Sequence, residues 1–214
     1  MATTLFRFPT ADLRTVDLPY TIKLYGVTDE MFDDMVNEDV KAELLDGVMT
    51  VHSPASMRHD MVGHFLRSLL GDYAEEKELG AVYGPDSIVR LRRGRRFAPD
   101  LFFLAASRVP QPTPQEYDGV PDLLLEVLSP SNRDYDLGEK RSTYREAGAS
   151  EIWFVDPVEE QIFIDRKRRK TYATETVTAG RATSSVLAGF WLDAAWLWAD
   201  PLPKRRPCLR AILK

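Results

Sequence analysis

Two carboxylates stand in segments that otherwise predict buried strands. Glu126 interrupts the run Leu-Leu-Leu-Glu-Val-Leu, and strand alternation puts it on one face with Leu124 and Leu128. Asp100 follows Pro99 at the start of the apolar sequence Leu-Phe-Phe-Leu. An ionised carboxylate in a buried strand is costly unless it is paired or binds a metal. Both acids are therefore candidates for chemistry.

Each acid alone also has an ordinary structural explanation. Glu126 could pair with a nearby Arg or Lys, or lie on an edge strand with one open face, and Asp100 could cap a turn after Pro99. On adjacent strands, however, the two could hold one hard divalent cation through oxygen ligands. Such an ion can activate water and stabilise charge on a phosphate. The backbone carbonyl of Val127 is a further candidate ligand.

Lys140 is the candidate cationic side chain. It belongs to a helix predicted from about 135 to 147 and ended by Gly148. Leu137, Lys140 and Tyr144 are spaced three and four residues apart, so they share one helix face. If Leu137 and Tyr144 pack on the sheet, Lys140 points toward the carboxylates. The alternative is a solvated lysine on a charged surface helix.

Glu43 and His59 are weaker candidates. Glu43 begins the hairpin sequence Glu-Leu-Leu-Asp-Gly, and His59 lies near the start of a long predicted helix. Because His59 precedes the apolar Val62 by three residues, we expect it to face roughly the buried side. A lone histidine is more often a hydrogen-bonded structural residue than a ligand. Asp156, just before Pro157, is predicted to cap a turn.

Basic residues cluster in three places that could contact nucleic acid. The cluster next to the Asp100 strand is the best placed to bind phosphates, although charged turns are often simply solvated. No recognition helix, zinc finger or stacking-aromatic motif is visible, so sequence-specific reading of DNA is not predicted. The best-placed cluster consists of Arg90, Arg92, Arg93, Arg95 and Arg96, and the others are 167–170 and 204–206.

The order of predicted elements indicates an α/β (α+β) fold with a mixed β-sheet flanked by helices. The predicted helices are an acidic one with Thr28 as its N-cap and a long one rich in apolar residues at helical spacing. These helices cover 27–40, 56–78 and 135–147. The predicted strands are a hairpin at 42–51 and segments 88–92, 97–104, 122–128 and 152–156. The irregular segments are an arm over 1–25 and a loop over 107–121.

Composition agrees with one globular domain. The chain has 214 residues, 44% of them hydrophobic, which is enough to bury a core. We expect the domain to cover 1–200, with its core over about 40–160 and a smaller β region over about 160–187. A basic, proline-rich and mobile tail is predicted for 201–214. The net charge of -5 argues against a generally basic surface but allows a local basic patch.

The remaining features favour a soluble protein of the cytoplasm. Cys208 is the single cysteine, so the chain has no internal disulfide and no cysteine-based zinc site. The first residues resemble no signal peptide, and the apolar stretch 190–198 is too short to span a bilayer. Its aromatic residues Trp191, Trp196 and Trp198 could serve an interface or close the core.

Five short motifs in this chain resemble the Uma-two family of predicted restriction endonucleases, which is placed in the PD-(D/E)xK nuclease superfamily. They occur in the family's order, and the resemblance spans about residues 40 to 195. The motifs are Glu-Leu-Leu-Asp-Gly (43–47), Ala-Pro-Asp-Leu (98–101), Leu-Leu-Glu-Val-Leu-Ser-Pro-Ser (124–131), Glu-Lys-Arg-Ser-Thr-Tyr (139–144) and Glu-Ile-Trp-Phe-Val-Asp-Pro (151–157).

The resemblance implies a restriction-endonuclease-like fold and a Mg²⁺ or Mn²⁺ site at Asp100 and Glu126. It implies that Glu43 supplies an additional acid and that His59 is a recurrent histidine of the family. The superfamily lysine usually lies two residues after the acid on the same strand. Leu128 occupies that position here, so Lys140 would have to take the place of that lysine from the next helix.

These observations predict a metal-dependent endonuclease that hydrolyses DNA. Cleavage of both strands would favour a homodimer, because duplex backbone symmetry matches a two-fold axis. The alternative, motivated by Leu128, is an inactive nuclease-fold module that binds nucleic acid or a protein. A metal-free glycosidase with paired carboxylates is a third hypothesis. A lysine facing the acids argues against it, because a cation lowers the pKa of a carboxylate.

Overall fold

The computed structural model describes residues 21–36, 41–52, 55–112 and 116–214. The helices are Asp29–Met35 (α1), Met57–Glu76 (α2), Arg133–Tyr135 (α3), Arg141–Ala147 (α4), Ala195–Trp198 (α5) and Arg205–Ile212 (α6). A 3-10 turn covers Ala106–Arg108, and a π-helical turn, Asp136–Lys140, joins α3 to α4. Within the described part of the chain, no helix is long and apolar enough to cross a membrane.

Fourteen strands are present among the described residues. The first eight are Thr21–Tyr25 (β1), Ala42–Leu45 (β2), Val48–His52 (β3), Gly80–Tyr83 (β4), Ile88–Arg92 (β5), Arg95–Phe97 (β6), Leu101–Ala105 (β7) and Glu116–Asp118 (β8). The others are Leu123–Val127 (β9), Glu151–Asp156 (β10), Gln161–Arg168 (β11), Thr171–Val177 (β12), Arg181–Thr183 (β13) and Trp191–Asp193 (β14).

These strands form two six-stranded mixed sheets and one small hairpin. The first sheet has the order β1-β3-β2-β6-β5-β8, and the second has the order β12-β11-β10-β9-β7-β4. Strands β9 and β10 pair in parallel, as do β5 and β8, while the other pairs are antiparallel. The predicted mixed α+β architecture flanked by helices is confirmed, although with two large sheets rather than one.

The second sheet is buried on both faces, which explains the continuous apolar run in β9. Leu123, Leu125 and Val127 pack in the same core cluster as α2. Leu124 and Leu128 pack in the opposite cluster, together with residues of α4, β6 and β10. Alternation along β9 therefore places its one charged side chain on the face that α4 covers.

Local signals located several elements correctly. Thr28 caps α1, with its hydroxyl accepting a hydrogen bond from Met31 N at 3.2 Å. Asp46 and Gly47 both have positive φ in the turn between β2 and β3, as an Asp-Gly hairpin requires. Asp156 caps the turn after β10 by accepting hydrogen bonds from the backbone N–H groups of Val158 and Glu159.

Other predictions of elements were wrong. The supposed arm contains β1, which pairs with β3, and the supposed loop at 107–121 contains β8, which pairs with β5. Both strands lie at the edges of the first sheet. The alternating sequence Thr-Ile-Lys-Leu-Tyr of β1 was an available signal, whereas the three residues of β8 are too few to show alternation. Residues 1–20 and 37–40, which belong to the predicted arm and acidic helix, lie outside the described residues.

The C-terminal third of the chain follows the prediction only in part. The β region predicted at about 160–187 contains β11, β12 and β13, and β11 and β12 extend the second sheet beyond β10. Instead of a mobile tail, residues 205–212 form α6, whose Cys208 and Ile212 are buried in the α2 core. The tryptophans of the 190–198 stretch are half-buried and pack against the same core.

A buried carboxylate fastens α4 to the second sheet. Asp165 on β11 is fully buried and accepts paired hydrogen bonds of 2.6–2.8 Å from Arg141 and Arg145. Thr174 on β12 donates a further bond of 2.7 Å. Burial alone would raise the pKa of Asp165, but the two guanidinium groups outweigh it and lower the pKa to about 2.

This depressed pKa predicts a loss of stability in acid. Because the folded-state pKa lies below the ordinary value of 3.8, the contribution of Asp165 is complete above pH 4 and is lost as pH falls toward 2. The shift corresponds to about 2 kcal/mol. We expect Asp165→Asn to lower the free energy of unfolding by about that amount at pH 7, measured by urea denaturation. A difference from the native protein that stays constant between pH 7 and pH 2 would contradict this assignment.

Candidate functional site

Asp100 and Glu126 meet where β7 and β9 lie side by side. Leu101 pairs with Leu125 in this antiparallel ladder, so the next positions along it bring the two acids together. Asp100 Oδ2 accepts a hydrogen bond from Val127 N at 2.8 Å, and Asp100 N lies 3.4 Å from Glu126 Oε2. The acids, 26 residues apart in the chain, therefore form one cluster.

Lys140 enters this cluster from the helical segment that follows β9. Its Nζ lies 2.8 Å from Glu43 Oε1 and 2.9 Å from Glu126 Oε1, and 3.9 Å from Asp136 Oδ1. The lysine side chain is only 5% exposed. The structure thus gives Lys140 the inward orientation expected from its spacing and brings Glu43 to the same point.

The π-helical turn Asp136–Lys140 explains how a charged residue reaches the core. Such turns insert extra backbone into a helix and are frequent at functional sites. Here the turn buries Lys140 together with Asp136, while Glu139 remains exposed. Sequence reasoning missed the turn and Asp136, and Gly138 within this segment was the available signal of a helix irregularity.

Tyr144 and Tyr135 were not recognised as site residues from the sequence. Tyr144 donates a hydrogen bond of 2.7 Å to Glu126 Oε1, and Tyr135 donates a long one of 3.4 Å to Glu43 Oε2. Tyr144 was assigned to the inward helix face, but only as a packing residue. A buried tyrosine hydroxyl needs a polar partner, and that need was the signal for its contact with the acids.

Burial and like charges make this cluster electrostatically unusual. Burial raises the pKa of Glu126, and neighbouring Asp100 and Glu43 add to this, so that the opposing effect of Lys140 does not offset them. Burial also raises the pKa of Asp136 well above its usual range. Although burial disfavours charged Lys140, the carboxylates of Glu126 and Glu43 raise its pKa. Lys140 is therefore held in its charged form among several acids.

His59 of α2 completes the other side of the site. Its Nε2 lies 3.2 Å from Asp100 Oδ2, while Lys41 Nζ lies 3.7 Å from Asp100 Oδ1. Burial opposes protonation of His59, but the bond to Asp100 prevails and raises the pKa of the imidazole. In the same way burial acts to raise the pKa of Asp100, whereas His59 lowers it overall.

A small cavity of about 40 Å³ opens beside this histidine. It is lined by α2 residues, including His59, Gly63, His64 and Arg67, and by Asp100. This volume exceeds the roughly 30 Å³ that one water occupies in the liquid. Asp100 is the carboxylate of the cluster that borders this cavity.

The chain matches a known protein family over most of its length. A family model described as "Putative restriction endonuclease", Uma2, matches residues 29–195. The chain belongs to the Uma2 family. No curated protein matches it at a significant level. All the residues of the cluster fall within the matched range.

A solved structure shares the fold of this Uma2 chain. It is "a putative nuclease belonging to DUF820" from Anabaena variabilis, with a TM-score of 0.71 and 17% sequence identity. The match covers 80% of this chain and 97% of that one. At this identity the likeness establishes the common fold. The family and this neighbour together support the broad assignment to restriction-endonuclease-like nucleases.

The five arginines predicted to contact nucleic acid differ in exposure in this Uma2 protein. Arg96 is only 3% exposed and pairs with Asp29, Asp33 and Glu116, so its guanidinium is already engaged by carboxylates. The other four arginines of the run also lie near carboxylates: Arg90 near Glu116 and Asp118, Arg92 near Asp46, Arg93 near Asp29 and Glu30, and Arg95 near Asp46 and Glu146. Arg92 and Arg93 nevertheless remain 62% and 83% exposed.

Leu128, at the usual position of the superfamily lysine, is buried in the apolar core with Tyr144 and Phe97. Leu128 therefore cannot supply the positive charge of that lysine. Lys140 instead contacts Glu126 directly, from a helix rather than from the same strand. This geometry is compatible with Lys140 taking the place of the lysine expected at position 128 in the Uma2 fold.

The acids offer hard oxygen atoms suited to a divalent cation. Asp100 Oδ1 faces only Lys41 at 3.7 Å, and Glu126 Oε2 has only the 3.4 Å contact with Asp100 N among the described residues. Over the same residues, no three Asp, Glu, His or Cys side chains form a complete ligand set. Mg²⁺ commonly binds through one or two carboxylates plus water and substrate phosphate, so the donor set fits such an ion.

Proposed function

We propose that this protein is a metal-dependent endonuclease that hydrolyses DNA phosphodiester bonds. The observation that carries the proposal is the convergence of Asp100 and Lys140 on Glu126. Glu126 Oε2 lies 3.4 Å from Asp100 N, and Glu126 Oε1 lies 2.9 Å from Lys140 Nζ. The restriction-endonuclease-like family and fold support the same reaction class. The buried acids and the opening beside α2 supply a place where one phosphate could approach.

In this proposal Asp100 and Glu126 hold Mg²⁺ or Mn²⁺ through Asp100 Oδ1 and Glu126 Oε2, the oxygens with the fewest contacts among the described residues. The carbonyl of Val127 is a further candidate ligand. The ion would supply an activated water and offset charge on the phosphate. The Val127 N–H and His59 orient Asp100, and Tyr144 orients Glu126. A preorganised site of this kind needs little rearrangement during the reaction.

Lys140 acts in this proposal through its positive charge. Ion pairs with Glu43 and Glu126 keep it protonated, and a protonated amine cannot accept a proton from water. Its contribution is therefore to stabilise the negative charge that develops on the phosphate. Glu43 holds Lys140 in place, and it also adds to the negative charge that favours a cation at the site.

The direct test is cleavage of supercoiled and single-stranded DNA with Mg²⁺, with Mn²⁺ or with EDTA, followed on gels. We expect cleavage only with a divalent ion. Asp100→Asn should slow it about 100-fold or more, because the amide keeps the shape but not the charge of the ligand. Asp118→Asn, on an exposed carboxylate of β8, is the matched control and should cleave normally.

The absence of cleavage by the native protein, together with the absence of Mn²⁺ binding in calorimetry, would overturn this proposal. The alternative of a nuclease-fold module without catalysis would then apply, and it is motivated by Leu128 in the apolar core. Cleavage of both strands of a duplex would fit the proposed homodimer, because two copies would place one site on each strand. Light scattering of the protein with and without duplex DNA measures whether the protein is a homodimer.

A further inference from the structure

Arg67 differs from the arginines of the β5–β6 hairpin because it is not neutralised. It lies in the middle of α2 and is half-buried. Among the described residues, none forms an ion pair or a side-chain hydrogen bond with Arg67. A half-buried guanidinium has lost part of its hydration, so an unpaired one is suited to bind an anion.

Arg67 places its positive charge beside the cavity that Asp100 also borders. His59, Gly63 and Arg67 are four residues apart, so they line one face of α2. All three border the cavity of about 40 Å³ that also contacts Asp100. The helix therefore presents a histidine next to the acid and an arginine two turns farther along the same opening.

Two glycines keep this opening clear. A Cβ at Gly84 would lie 2.2 Å from Arg67 Nη1 and 3.0 Å from its Cδ, so the arginine rests directly against that backbone. Gly63, in the interior of α2, would place a Cβ in open space. A glycine weakens a helix interior, and no packing contact requires one at 63. Gly63 borders the cavity between His59 and Arg67.

We propose that Arg67 binds a backbone phosphate of DNA at the cavity along α2, beside the position at Asp100 where the proposed function places the phosphate to be cleaved. The identity of the ligand as DNA rests on the proposed nuclease function, whereas the anion site rests on Arg67, which has no ion-pair partner among the described residues, and on the cavity that it borders. Arg67 is in this proposal a nucleic-acid contact outside the β5–β6 hairpin. The planar guanidinium of Arg67 can hold a phosphate through two parallel hydrogen bonds.

The test measures DNA binding in EDTA, so that it does not depend on metal or cleavage. Fluorescence anisotropy with a labelled duplex gives Kd for the native full chain and its variants at several salt concentrations. We expect Arg67→Ala to weaken binding about 10-fold and to reduce the slope of log K against log salt by about 1. Arg67→Lys should retain the slope but bind more weakly, because it lacks the planar pair of donors.

Two further variants test whether binding depends on the position of the Arg67 guanidinium or only on positive charge. Gly84→Ala retains Arg67 but forces its flexible end to move, and should weaken binding several-fold. Lys77→Ala removes one exposed charge at the C-terminal end of α2 and should leave Kd unchanged. Unchanged melting temperatures for Arg67→Ala and Gly84→Ala would show that both variants remain folded.

The outcomes separate this inference from the nuclease proposal. Loss of binding in Arg67→Ala without any cleavage by the native protein would support the phosphate site and overturn the catalytic proposal. Cleavage by the native protein, with equal Kd and equal KM in Arg67→Ala, would overturn the phosphate site and leave the nuclease intact. An equal loss in Lys77→Ala would show general charge attraction and would also overturn the site.

Discussion

Replacement of Glu126 by glutamine is expected to abolish metal-dependent DNA cleavage while preserving the fold. The amide has the shape of the carboxylate and can still accept the hydrogen bond from Tyr144, which now measures 2.7 Å. It lacks the negative charge that would hold a divalent cation next to Asp100. We expect the cleavage rate to fall by about 100-fold or more, which is the usual effect of removing a preorganised charge or dipole from an active site.

Three measurements on Glu126→Gln make this prediction specific. Calorimetric titration with Mn²⁺ should show a large loss of affinity, and the urea midpoint should remain close to that of the native protein. Burial already raises the pKa of Glu126, so a neutral side chain is tolerated there. Glu139→Gln, on the exposed side of the same π-helical turn, is the matched control. Cleavage by Glu126→Gln within tenfold of the native rate would exclude Glu126 as a metal ligand.

Replacement of Lys140 by methionine should both inactivate and destabilise the protein. Methionine has a similar length but no charge, so the buried carboxylates of Glu43 and Glu126 would lose their nearest cation. Removal of one partner from a buried ion pair typically costs about 3–5 kcal/mol. We expect a loss of that size in urea denaturation, together with the loss of cleavage.

A second variant and added metal distinguish charge from packing in this effect. Lys140→Met combined with Glu43→Gln should regain part of the lost stability, because one uncompensated carboxylate is removed. Millimolar Mg²⁺ should raise the melting temperature of Lys140→Met more than that of the native protein, since the ion replaces a missing positive charge. Lys170→Met, in an exposed turn, controls for the substitution itself. A destabilisation under about 1 kcal/mol would show that Lys140 does not neutralise the acids.

Much of the site was predictable because its signals are local. Alternation along a strand determines which face Glu126 occupies, and helical spacing determines that Lys140 shares a face with Tyr144. The Asp-Gly turn placed Glu43 on a hairpin strand. The structure brings these residues together as their separate elements indicated. Periodicity is a property of a few consecutive residues, so no knowledge of the whole fold was needed.

The partners of charged side chains were decided only by the tertiary structure. Arg96 and Arg67 are residues of the same type, yet Arg96 is enclosed by carboxylates and Arg67 has no ion-pair partner among the described residues. Arg95 pairs with Glu146, 51 residues away. The edge strand β8 and the packed helix α6 likewise depend on distant neighbours. A long-range pairing is set by which elements become adjacent on folding, and a charge pattern along the chain does not specify that adjacency.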